Sequence, residues 1–116
     1  MKSIDDLLGI LRDLTYEDKL RWEDDDALTN SFQAELPKYH VRIFEWTDED
    51  DGTSGLTAQL FTGNGFGNVV DSSTANQFSS RYPTLLEVYI AARRSARNVS
   101  ETIESLEEEL KKLKKK

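Results

Sequence analysis

Cysteine is missing altogether, histidine occurs once, and no apolar stretch nears the length needed to cross a bilayer. Each shortage removes a class of protein. Without thiols the chain forms neither disulfides nor thiolate metal sites, which suits a reducing compartment. A lone His40 supplies no converging set for a catalytic triad or a zinc centre. The opening Met1-Lys2-Ser3-Ile4-Asp5-Asp6 carries acid where a secretory signal carries base and then a long apolar run, so a cytoplasmic protein is expected. Positive charge is also scarce, with 15 Lys and Arg against 22 Asp and Glu. That balance opposes general nucleic-acid binding, whose affinity comes from cations displacing phosphate counterions. It favours solubility and basic partners. The acid is concentrated in residues 1–58, fifteen acids against six bases, whereas residues 59–116 hold seven against nine.

At 116 residues the chain suits one domain over residues 1–116. Ser3 and Asp6 can cap a helix start, and Ile4, Leu7, Leu8, Leu11 and Leu14 recur at helical spacing, predicting an amphipathic helix over residues 4–14. Gly9, on its polar side, weakens it. Asp24-Asp25-Asp26 reads as a turn. Leu28, Asn30, Phe32, Ala34 and Leu36 keep one parity and predict a strand that Pro37 interrupts. Tyr39, Val41 and Ile43 alternate with His40, Arg42, Phe44 and Trp46 in the clearest strand of the chain. Asp48 to Gly55 is a loop, Leu56, Ala58 and Leu60 resume alternation, and Gly63-Asn64-Gly65 marks a turn. Phe66 to Asp71 predicts a further strand, followed by a polar loop from Ser72 to Ser80.

From Tyr82 the period becomes helical. Pro83 fits a first turn, Thr84 with Glu87 can form a capping box, and Leu85, Leu86, Val88, Tyr89, Ala92 and Ala96 make a stripe broad enough to face a sheet. Beyond it Val99, Ile103, Leu106, Leu110 and Leu113 recur in steps of four and three, the narrow seam that one helix presents to another. Asn98 with Glu101 is a second capping signal, so either one long helix or two consecutive helices with a bend at residues 97–100 fits. The fold class expected is α+β: an amino-terminal helix, a four- or five-stranded antiparallel sheet, and one long or two consecutive carboxy-terminal helices, with residues 100–116 a candidate assembly helix that leaves the body.

The leading helix, the step from Thr15 to Trp22, the meander, and the closing helix Leu85 to Asn98 ending in Val99-Ser100-Glu101 together resemble a set of small bacterial proteins. The resemblance implies this fold and no particular activity.

Candidate chemistry is sparse. His40 is expected to cover one sheet face beside Arg42 and Phe44. Asp48-Glu49-Asp50-Asp51-Gly52 lacks calcium-loop spacing, so no metal is expected, and no cofactor either. Gly63, Gly65 and Gly67 precede a strand rather than a helix and carry no following lysine, which favours a hairpin turn over a phosphate loop. Arg93, Arg94 and Arg97 form a basic strip that a phosphate ligand or acidic partner could use. Trp22, Phe44 and Trp46 are expected in the core more than at an interface. The leading expectation is a non-enzymatic binding or assembly module that forms a homo-oligomer through Val99, Ile103, Leu106, Leu110 and Leu113. Two alternatives stand beside it. One is a sensor or sponge holding a nucleotide-like ligand between the glycines and the arginine strip. The other is an acidic inhibitor or immunity-type protein directed at a basic partner.

Overall fold

The computed structural model describes residues 2–25, 30–63 and 67–115. A 3-10 turn, Ile4–Leu7, leads into α1, Leu8–Tyr16, and the Ser3 amide donates to the Asp6 carboxylate at 2.8 Å, as the capping signal predicts. Five strands follow: β1 Glu23–Asp24, β2 Ser31–Glu35, β3 Tyr39–Thr47, β4 Ser54–Thr62 and β5 Val69–Asn76. They form an antiparallel sheet in chain order, β1-β2-β3-β4-β5. Two helices close the chain, α2 Tyr82–Ala96 and α3 Val99–Lys114. The α+β fold is the expected one, and of the two arrangements at the carboxy terminus the chain adopts two consecutive helices. Among the described residues no helix is long and apolar enough to cross a membrane.

Strand parity decides which side chains become core. Phe32, Ala34, Val41, Ile43, Leu56, Ala58 and Ala75 point to one face, where Leu85, Val88, Tyr89 and Ala92 of α2 cover them. Helix α2 crosses all five strands and α1 lies alongside it, with Ile4, Leu8 and Trp22 sealing that side. Trp22 is tied down by its indole N–H, which donates to Thr15 Oγ1 at 2.8 Å. The salt bridge of Arg12 with Glu87 staples α1 to α2 at the surface.

Three local expectations change. The segment from Ser72 to Ser80, expected as a loop, is strand as far as Asn76, and of the strand expected up to Asp71, Gly67 and Asn68 lie before β5, which starts at Val69. Ser73 and Ala75 are buried in the core while Ser72 and Thr74 face outward, so β5 keeps period two with small polar residues, a pattern that hydrophobicity alone does not register. The capping box at Thr84 and Glu87 is replaced by an earlier start: Arg81 is the N-cap and Pro83 lies in the first turn. Asp24, expected in a turn, pairs with Phe32 in β1, and the neighbouring Asp25 is buried. Asp26, Leu28, Asn64, Gly65 and Phe66 lie outside the described residues.

Candidate functional site

Helix α3 is held as a helix by its own sequence. Lys111 Nζ lies 3.0 Å from Glu107 Oε1 one turn earlier, and Lys111, Lys112 and Lys114 occupy the last turn, where they oppose the negative end of the helix dipole. Its start is set by Asn98, whose φ of 50° is left-handed and breaks the continuity with α2. Asparagine adopts that conformation more readily than most side chains.

No residue of α3 is buried. Val99 is half-buried at the junction with the body, but Ile103, Leu106 and Leu110 are each 53 % exposed and Leu113 is 65 % exposed. Among the described elements α3 touches only α2, its neighbour in sequence. The chain's radius of gyration is accordingly 16.5 Å. A compact chain of this length would measure about 13 Å. A helix of 16 residues spans roughly 24 Å, enough to account for the excess. The seam expected from the sequence therefore exists as a row of aliphatic side chains on one side of a rod that stands away from the core.

The arginine strip does not act as one surface. Arg93 lies over the ring of Tyr89 and Arg97 over the ring of Phe32, each guanidinium 5.6 Å from the ring centroid. Both lend their planar cations to core aromatics. Burial raises the Tyr89 hydroxyl pKa above its ordinary value, the Glu45 carboxylate raises it further, and Arg93 and Arg97 partly offset the rise. Arg94 points elsewhere, into a cavity of about 100 Å³ between the end of α1 and the α2–α3 junction, which it lines with Arg21, Tyr16, Ser95 and Asn98. Arg21 was not singled out from the sequence, where nothing distinguishes it from any other surface base.

Nor does the fold bring Gly63 to Arg97. Gly63 ends β4, with a φ of 78° and its amide donating to the Lys38 carbonyl at 3.0 Å. Arg97 covers Phe32, whose row runs through Ile43 to Ala58. Five residues along β4 separate Ala58 from Gly63, about 17 Å of extended chain. Gly67 is exposed, and Gly65 lies outside the described residues.

The second face of the sheet carries a polar and aromatic cluster. His40 Nε2 is 2.7 Å from Gln33 Oε1 and its ring meets Phe61 edge-on, as expected of a histidine that covers the sheet. Arg42 stacks on Phe61 and pairs with Asp25 at 2.8 Å, both partners largely shielded from water, while Ser31 donates to the same carboxylate at 3.1 Å. Trp46 lies across Gly55 and donates to Thr57 Oγ1 at 3.0 Å; it and Phe44 are half-buried, whereas Trp22 is core. The acidic loop closes on itself, with Asp48 accepting from the Asp50 amide and Asp51 from the Thr53 amide, and the Thr53 side chain first, then its amide, lowers the Asp51 pKa. Among the described residues no three His, Asp or Glu side chains are grouped to hold a metal ion.

No protein family, no curated protein and no solved structure matches this chain.

Proposed function

We propose that this chain is a non-enzymatic assembly module that associates with a second copy of itself through α3. The observation that carries the reading is the row Ile103, Leu106, Leu110 and Leu113, more than half exposed and covered by no other described element. Burial of a side chain of this size is worth about 1.5–3 kcal/mol. Helix α2 collects that stabilisation from the sheet, and beyond the half-buried Val99 no side chain of α3 collects it from the described body. A lone helix of this length is marginal in water, so a packing partner would supply what the body withholds.

Two heptads make a short coiled coil, and part of the interface would come from the body. Leu7 and Ile10, 41 % and 55 % exposed on the outer side of the leading helix, are available for that purpose. Sedimentation or light scattering on the 13.3 kDa chain tests the proposal. A particle of twice that mass is expected, returning to monomer in a Leu106→Glu, Leu110→Glu variant that still unfolds cooperatively, at the wild-type temperature once both are dilute enough to be monomeric. A wild-type chain that stays monomeric at millimolar concentration removes the proposal.

A further inference from the structure

Resting on that self-association reading, we infer that α3 pairs with the α3 of a second copy in parallel and in register, so that Glu109 of each chain faces Lys114 of the other. The four-and-three steps place Ile103 and Leu110 at the a positions and Val99, Leu106 and Leu113 at the d positions of a heptad. Ser100, Glu107 and Lys114 then occupy e, and Thr102 and Glu109 occupy g. In a parallel pair each g residue faces the e residue of the next heptad on the other helix. Thr102 thus meets Glu107, a neutral contact, and Glu109 meets Lys114, an attractive one that symmetry makes twice. Glu107 is already paired within its own helix to Lys111 at 3.0 Å, whereas Glu109 and Lys114 have no ion-pair partner among the described residues. All five seam residues meet their own counterparts. Ile103 at a with Leu106 and Leu113 at d also suits two strands.

The antiparallel arrangement puts like against like. With Ile103 set opposite Leu113 and Leu106 opposite Leu110, each flank meets its own kind, so Glu107 faces Glu107 and Glu109 faces Glu109 at the middle of the interface. Val99 is left without a counterpart. Sliding by one heptad until Glu107 reaches Lys114 relieves the repulsion but retains only the Leu110 and Leu113 layers. Sliding the other way sets Glu107 beside Ser100 and Glu109 beside Thr102, which leaves Leu113 without a counterpart on α3 and forms no attractive pair. The overall charge of α3, acidic first and basic last, does favour antiparallel alignment at long range. Glu104, Glu108, Lys111 and Lys112, however, sit on the outer b, c and f positions, and charges held about 10 Å or more apart are largely screened at ordinary ionic strength. The contact pairs decide.

The absence of cysteine makes single labels unambiguous. Glu101→Cys and Lys115→Cys place a spin label at outward f positions near the two ends of α3, and pulsed electron resonance reads the distance between the two copies. Parallel pairing gives short and similar distances at both positions. Antiparallel pairing about the Leu106–Leu110 layers lengthens both by an axial offset of about 21 Å, at 1.5 Å per residue. Two short distances support the inference. Two long distances in a dimer overturn the orientation while leaving self-association intact, and a monomer by sedimentation overturns both. As a second arm, Glu109→Lys and Lys114→Glu are each expected to weaken the dimer by roughly tenfold, since each converts two exposed attractions into repulsions. The combined exchange restores it. Single variants that associate like wild type overturn the Glu109–Lys114 pairing.

Discussion

Helices α2 and α3 are nearly equal in length, adjacent in the chain and both amphipathic, yet α2 buries five side chains and α3 buries none. The difference lies in the width of the apolar stripe and in the residue between the helices. The face of α2 is broad and includes Ala92, small enough to let the helix lie close over β2, β3 and β4. The face of α3 is one row wide between glutamates and lysines, and Asn98 turns it away before it can reach the sheet. A stripe as wide as that of α2 is satisfied within its own molecule; a seam as narrow as that of α3 suits a single helix, and among the described elements α3 meets only the end of α2.

The strongest way to break the comparison is to truncate equivalent leucines. Leu85→Ala, at a fully buried position, is expected to cost about 2–5 kcal/mol in urea unfolding. Leu106→Ala in protein dilute enough to be monomeric should change stability by less than about 0.5 kcal/mol. Equal losses at the two sites would mean that α3 packs on its own body after all. The junction offers a smaller effect: Asn98→Ala, at a φ of 50°, should destabilise the α2–α3 turn by roughly 1 kcal/mol, and Asn98→Gly should not. Circular dichroism melts of the two variants would separate them.

Tyr89 sharpens the same contrast in alkali. Its pKa is raised above 10.0 in the folded chain, mainly by burial, so the folded state holds the proton more tightly than the unfolded one. Stability from this group is intact below pH 10 and declines as pH rises from there through the folded value. Tyr89→Phe lacks that titration, and its melting temperature should fall less than the wild type's between pH 9 and pH 11. A parallel fall in both proteins would show that Tyr89 is not protected by α2 and the sheet.

Local periodicity carried most of the fold into view. The parity of Tyr39 to Trp46, the spacing of Ile4 to Leu14 and the change of stripe width near Asn98 each report which way side chains point, and that depends on a few consecutive residues. The second half of β5 was less legible because Ser72, Ser73 and Thr74 alternate between core and solvent without alternating in hydrophobicity. Arg93 and Arg97 looked like a surface because helical spacing gives direction but not distance. Tyr89 lies one turn before Arg93 on α2, a local contact, whereas only the packing of β2 against α2 puts Phe32 beneath the Arg97 guanidinium.

By itself the sequence determined the order of helices and strands, the dry face of β3 and the existence of a leucine row from Val99 to Leu113, all consequences of backbone periods of two and 3.6. Tertiary structure alone decided that Asp25 meets Arg42 across the sheet, that Gly63 ends far from Arg97, and that beyond Val99 the row on α3 meets no other described element. Such pairings depend on how distant segments are superposed in space, and no count of neighbouring residues contains that information.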